Sequence, residues 1–419
     1  MSTVQAATSV KPTNARTPLK SLDEALSGLL DHAVTLAGTE QISTFDADGR
    51  VLAQAVVSAL QVPPQDNSAM DGYAARCADL AAGVPLPVSQ RIPAGSNGSR
   101  LAPRSVARIF TGAPIPEGAD AVVMQEDCTL QADGSVRVNA PVQLGQWIRR
   151  SGEDVTKGAV ILSKGERLTP ASLGLAASIG MNTLTVMRRP RVALFSTGDE
   201  LVMPGDVAPQ DMPPGAIYNS NRFFLQALLK RLGCEVSDLG IVPDKREATI
   251  EALRSAAQDH DLILTSGGVS VGEEDHIKPA VQALGQLDLW QIAMKPGKPF
   301  AYGRVADAHF MGLPGNPVSS FVTFLMLVRP FLLKLQGVFA VAPESIASCA
   351  HFTRANGDKR REFLRARRNV AGGLDLFPNQ SAGVLTSAVW GDGLVDNPPG
   401  QAIAHGDVVR FIPFSELLA

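Results

Sequence analysis

The sequence predicts a multidomain α/β protein: a three-layer αβα domain with a parallel-type sheet, a mostly β insertion domain and a C-terminal β-barrel or sandwich. Between Arg191 and about Gly337, short β-prone runs alternate with helical apolar patterns, the spacing that right-handed βαβ crossovers require. Residues 50–150 instead hold short strand-like runs separated by Pro, Gly and Asp-Gly turns, and after Gly337 helical patterning disappears and short strands return over 340–419.

Taken in order, residues 1–17 are rich in Ser, Thr, Ala and Pro and carry Lys11 and Arg16 without an apolar run. That composition reads as a disordered tail, neither a secretory signal nor a membrane anchor. From Ser21 to Ala37, Leu22, Ala25, Leu26, Leu29, Leu30, Ala33 and Val34 recur at helical spacing, with Ser21 as N-cap and Glu24 at the capping-box position. Ala121–Met124 and Val136–Val138 are strand candidates of the insertion. In the alternating region Val192–Phe195 is a short buried strand. Arg222–Leu232 is a helix with Phe224, Leu225, Leu228, Leu229 and Leu232 on one face, stopped by Gly233. A strand at 235–242, a helix at 246–258, the strand Asp261–Thr265, a helix near 276–284 and a strand near Trp290–Met294 follow, and a further helix starts near Val318. No stretch reaches the roughly 18 uninterrupted apolar residues of a spanning helix; the apolar helix 317–335 carries Arg329, Pro330 and Lys334.

The bulk numbers narrow the function classes. The 419 residues are 45% hydrophobic and 19% charged, with a formal charge of −3. No global basic field favours nucleic acid or an anionic membrane, so any anionic ligand must be held by local groups. Cys77, Cys128, Cys234 and Cys349 form no CxxC or Cys/His cluster, which fits a reduced, cytoplasmic protein.

Chemistry concentrates in a few loops. Asp66-Asn67-Ser68-Ala69-Met70-Asp71-Gly72-Tyr73 packs two carboxylates, an amide and a hydroxyl into one loop, with Met70 as an apolar anchor between the acids. The strand Asp261–Thr265 runs into Ser266-Gly267-Gly268-Val269-Ser270-Val271-Gly272, then Glu273, Glu274 and Asp275. Paired glycines let backbone N–H groups approach a phosphate, and the following helix adds its positive end. The acids would repel that phosphate without a divalent cation, which makes Asp275 a magnesium-ligand candidate. Glu200, in Ser196-Thr197-Gly198-Asp199-Glu200-Leu201, and Asp244 sit after other strands and can converge on the same metal; scattered loop acids are the alternative. Lys295-Pro296-Gly297-Lys298-Pro299 sets two lysines in a stiff loop suited to an oxyanion. Leu313-Pro314-Gly315-Asn316-Pro317 leads into a helix start; a rigid connector is the plainer reading of both. The run Lys359–Arg368 is locally basic, as solvated faces often are.

These motifs, with Phe110-Thr111-Gly112-Ala113-Pro114-Ile115-Pro116 and Ile148-Arg149-Arg150-Ser151-Gly152-Glu153-Asp154, resemble in kind and order the molybdopterin molybdenumtransferase family, the bacterial MoeA proteins and the gephyrin E domain. The resemblance covers about residues 18–419 and implies a molybdopterin-binding fold at 188–337. It further implies a linker and dimerisation domain at 18–60 plus 155–187, the β insertion at 61–154 and a β domain at 338–419. It implies a homodimer with a composite cleft in which molybdate enters the dithiolene of adenylylated molybdopterin, AMP is released, and Mg2+ takes part. By motif position Asp66, Thr111 and Asp154 would come from one side, and Glu200, Asp244 and Asp275 from the other, the last three also as metal ligands. Gly267, Gly268, Ser270 and Gly272 would hold phosphate, with Lys295, Lys298, Pro314, Asn316, Pro317, Arg365 and Ser381 completing the ligand site. Partner proteins would be a molybdopterin adenylyltransferase and downstream molybdoenzymes or their chaperones.

Two positions depart from the family pattern. Gln291 stands where many relatives carry Lys, and Ser381-Ala382-Gly383 replaces a Gly-Ser-Gly step. Tungstate insertion, molybdopterin adenylyl transfer and a non-catalytic protein scaffold remain the alternatives.

Overall fold

The computed structural model describes residues 19–81, 83–268 and 276–418, so the tail expected at 1–17 lies outside the described residues. The chain forms two compact units, one of residues up to Glu40 and from Met187 onward, the other Gln41–Val186.

In the larger unit six strands form one sheet, in the order Glu235–Val242, Arg191–Thr197, Leu262–Ser266, Ala308–Leu313, Pro299–Val305, Gly285–Gln291. The first four run parallel, and Pro299–Val305 runs antiparallel to both of its neighbours. Alternation along the buried strands builds the three layers. Val192, Leu194, Leu262 and Leu264 pack on Leu225, Leu228 and Leu229 of the helix Ser220–Arg231, whereas Ala193, Phe195 and Ile263 face Leu253, Ala256, Ile277 and Val281 on the opposite side. Gly233, at φ 78°, ends the first of these helices, as expected.

Three expectations change. The strand placed near Trp290–Met294 is Gly285–Gln291, and Pro299–Val305 with Ala308–Leu313 form a hairpin that the sequence pattern concealed. Its two-residue turn runs through Ala306 at φ 49° and Asp307, with no glycine to announce it. The first helix is Leu22–Asp31, not a helix to Ala37. Its capping box forms, but Leu36 N–H donates to Leu335 O at 2.8 Å and Gly38 turns at φ 107°, drawing the chain off the helix path. The helix from Pro317 to Leu335 is interrupted by a π turn, Phe324–Val328, just before Pro330, which lacks the N–H an α turn would use. This helix is long and apolar enough to cross a membrane, yet 89% of its apolar window is buried within the fold.

After it, Ile346–Cys349, Val408–Pro413, Gly393–Asn397, Arg361–Arg368 and Leu374–Leu376 pair in series, and a bridge between Ala350 and Leu374 closes them into a five-stranded barrel. Leu364, Ala366, Val395, Val409 and Phe411 fill it.

The smaller unit contains a four-stranded sheet in the order Val88–Ile92, Val106–Ile109, Gly72–Ala75, Ala121–Met124. Gly72 is obligatory there, because a Cβ would overlap the carbonyl of Val123. A second core gathers Leu52, Val56, Leu162, Leu168, Leu184 and Val186 around the helix Pro170–Ser178, capped by Thr169.

Asp261, placed by the sequence at the start of a strand, instead precedes it as an anchor. Its carboxylate accepts from both Nη atoms of Arg188 at 2.8 and 2.7 Å and from Arg191 N at 2.8 Å. Burial works to raise its pKa, but these donors outweigh burial and hold the carboxyl below its usual range. A lowered folded pKa contributes stability above the unfolded carboxylate value, which is lost as pH falls through the folded one. Asp261→Asn is therefore expected to cost about 2 kcal/mol at neutral pH. In urea denaturation the wild-type advantage should shrink once pH drops below about 4.

Candidate active site

Strand register brings the carboxyl ends of the parallel strands level: Thr197 pairs with Val242, Ser196 with Ser266, and Ser266 with Leu313. The chain beyond these ends lines one cavity of about 550 Å³. Gly198 and Glu200 follow the first strand, Asp244 the second, Gly267 and Gly268 the third, and Pro314, Asn316 and Pro317 the fourth. Open parallel sheets carry their ligands at this edge.

Gly267 and Gly268 have φ of 93° and 67°, and a Cβ on Gly268 would lie 2.5 Å from Ile277 Cγ1 and 2.9 Å from Thr197 Oγ1. Two helix starts border the cavity, one capped by Asn219 on Arg222 N and one at Pro317. Such ends favour anions. Glu200 folds back towards Gly198, while Ser270, Gly272 and Asp275 lie outside the described residues. Among the described residues no group of three or more His, Cys, Asp or Glu could hold a metal. Two carboxylates on one cavity still suit magnesium, which keeps most of its waters and binds one or two carboxylates plus phosphate.

Lys298 is exposed, beside the cavity residue Pro299. Lys295 has partners of its own: Nζ lies 3.0 Å from Asp358 Oδ2 and 3.3 Å from Glu362 Oε1. Burial would raise the Glu362 pKa, but Arg354 at 2.6 Å, then the Asp358 N–H and Lys295, keep it below the usual range. The basic run is similarly occupied. Arg360 pairs with Asp358, Arg361 with Asp396 and Asp23, and Arg368 with Asp392, while Arg367 stacks over Trp390. Arg365 differs: it is buried, and its guanidinium donates to the neutral acceptors Ser387 Oγ, Phe363 O and Ser381 O at 3.0, 3.1 and 3.3 Å. Burial pushes its pKa down to about 10. Ala382 O accepts from Val318 N at 2.9 Å, joining the Ser381 turn to the helix entered at Pro317.

In the smaller unit three motifs distant in sequence converge. Asn67 and Ser68 pair with Arg149 and Ile148, and Gly112 N donates to Ser68 O at 2.8 Å. Asp66 accepts from Ser151 N at 2.8 Å and Arg150 Nη1 at 2.6 Å, which holds its carboxyl below the usual range, the backbone bond contributing most. Asp71 accepts from Thr111 N and Oγ1 at 2.7 and 2.8 Å, with the same effect. Asp154 is exposed, its N–H bonded to Val62 O. Hydrogen bonding therefore fixes Asp66 and Asp71, where the sequence suggested the apolar anchor Met70, which is only half-buried. Asp71, Arg150 and Ser151 join the site candidates; the signal for the Asp66 pair was the opposite charge of Arg149-Arg150 in the partner motif.

Residues 193–334, which contain the cavity, match the family model described as a probable molybdopterin binding domain. Residues 20–180 match the MoeA N-terminal region (domain I and II), and 350–414 the MoeA C-terminal region (domain IV). The fold and its cavity thus define a protein of the molybdopterin-binding class. A molybdopterin molybdenumtransferase of Haemophilus influenzae is 46% identical over 318 residues, 76% of this chain and 78% of that protein. One of Synechococcus elongatus is 37% identical over 86% of this chain and 91% of its own length. The crystal structure of the MoeA protein of Pyrococcus horikoshii OT3 superposes with a TM-score of 0.81 at 28% identity, covering 94% of this chain and 100% of that one. The chain belongs to the molybdopterin molybdenumtransferase (MoeA) family, enzymes of molybdenum cofactor biosynthesis.

The Asp71–Thr111 pair gives a direct test of this geometry. Thr111→Val keeps the amide donor and removes the hydroxyl donor, so NMR titration of the Asp71 carboxyl should show its pKa move upward, because a bond to the charged form is lost.

Proposed function

We propose that this chain inserts molybdate into the dithiolene of adenylylated molybdopterin, with hydrolysis of the adenylate and release of AMP. The observation that carries this reading is the cavity at the strand ends, where the Gly267–Gly268 turn and two helix starts meet the carboxylates Glu200 and Asp244. An anionic phosphate and its counter-cation call for that combination of groups.

In this reading the Gly-rich turn and the helix starts hold the phosphate-bearing part of the substrate, with Asn316 lining the cavity next to them. Glu200, Asp244 and Asp275 would hold Mg2+, which when bound supplies charge neutralisation at the phosphorus. Molybdate, a dianion, would lie near Arg365, whose buried charge has neutral acceptors at all its hydrogen bonds, with Ser381 and Lys298 beside it. Lys295, already paired with Asp358 and Glu362, would shape the loop that presents Lys298. Asp66, Thr111 and Asp154 would complete a composite cleft from the second subunit of a homodimer, Asp66 remaining ionised at neutral pH. The protein would work in the cytoplasm, receiving its substrate from a molybdopterin adenylyltransferase and passing product to molybdoenzymes or their chaperones.

The test is incubation of the purified protein with adenylylated molybdopterin, Mg2+ and either molybdate or tungstate, following AMP and reconstitution of an apo-molybdoenzyme. AMP release together with reconstituted activity is expected; binding without AMP release would favour a scaffold. Asp275→Asn should keep folding and dimerisation but lose metal-dependent AMP release, and normal turnover by it would remove Asp275 from the metal site. Arg365→Gln should raise the molybdate concentration for half-maximal activity at least about tenfold, the loss of one charge-assisted contact.

A further inference from the structure

Building on that reading of the cavity, we propose that Asn221 is a positioning residue that sets the spacing of the two loops flooring the ligand site. Asn221 lies in the first turn of the helix Ser220–Arg231, is 8% exposed and lines the cavity. Its Nδ2 donates to Ser266 Oγ at 2.8 Å and to Gly315 O at 2.7 Å. Ser266 immediately precedes Gly267-Gly268, and Gly315 lies inside Pro314-Gly315-Asn316-Pro317. One amide therefore spans the two loops.

The amide orientation follows from its partners. The Gly315 carbonyl can only accept, so the nitrogen faces it and Oδ1 is the other atom. That Oδ1 is buried and has no hydrogen-bond partner among the described residues. An unsatisfied buried acceptor is costly, and a side chain present for packing alone would be apolar. What the amide supplies at this position is its pair of N–H donors. The two loops are close neighbours: a Cβ on Gly315 would be in ordinary van der Waals contact with Gly267 Cα, at 4.0 Å, and Gly267 N donates to Leu313 O at 3.1 Å. Without the amide, the turn carrying Asn316 and Pro317 can drift from the turn carrying Gly267 and Gly268, and a ligand bound by both must bring them back together on binding.

The test is steady-state AMP release by full-length Asn221→Ala and Asn221→Leu variants. The Leu variant restores most of the side-chain volume without the donors. Both should raise KM for adenylylated molybdopterin about thirtyfold, the effect of losing two hydrogen bonds. KM for molybdate and kcat should stay within about twofold of the wild type. A merely structural role would lower kcat at unchanged KM, because fewer molecules would be folded. Unchanged KM in the Ala variant, or a wild-type KM restored by Leu, overturns the proposal. Gly268→Ala, whose Cβ would crowd Ile277 and Thr197, separates the two layers of argument. If it raises KM while Asn221→Ala does not, the positioning role fails alone. If neither variant changes KM, the cavity reading fails and the positioning role with it.

Discussion

Four parallel strands, all but the outer Glu235–Val242 buried on both faces, hold one another in a register that leaves their carboxyl ends at a common level, and the chemistry of the larger unit follows from that alignment. Val192 and Leu194 cannot exchange faces with Ala193 and Phe195 without turning a leucine-filled layer towards a layer built for smaller partners. A slip of one residue would move Thr197, Ser266 and Leu313 out of line and scatter the loops that follow them. The cavity is thus a by-product of core packing, with its rigidity supplied by side chains that never meet a ligand.

Charge in this protein is largely consumed internally. The run Lys359–Arg368 looks like a basic surface in sequence, yet Asp358, Asp392 and Asp396 pair with three of its six cations, and Lys295 is held by two carboxylates from the same neighbourhood. Against this background Arg365 stands out, because its burial is met by carbonyls and a hydroxyl. A guanidinium desolvated in that way attracts an anion more strongly than any of its exposed neighbours.

Local signals were legible in the sequence and long-range ones were not. The capping box at Ser21 and Glu24, the stop at Gly233 and the strands at Ala121–Met124 and Val136–Val138 are written in neighbouring residues, and the structure contains them. The 305–308 hairpin was hidden because its turn uses Ala306 and Asp307, and the early end of the first helix depends on a carbonyl some 300 residues away, at Leu335. Motif chemistry picked out the loops around the cavity, but apart from the Asp66–Arg150 charge match the pairing was invisible. Nothing near Lys295 in sequence announces Asp358 and Glu362, nothing near Asp71 announces Thr111, and Asn221 carried no motif signal because its partners lie 45 and 94 residues downstream.

The π turn at Phe324–Val328 has a geometric consequence for the buried helix. One extra residue in a turn advances the phase of every later side chain by about 100° around the axis. The segment before it packs against Ser220–Arg231 and Ala308–Leu313, and the segment after it against Leu22–Asp31. A regular helix would present one continuous stripe to both sets of neighbours. The phase step lets a single rod address two differently oriented surfaces, leaving Lys334 only half-buried, where its ammonium reaches the Leu30 carbonyl at 2.7 Å.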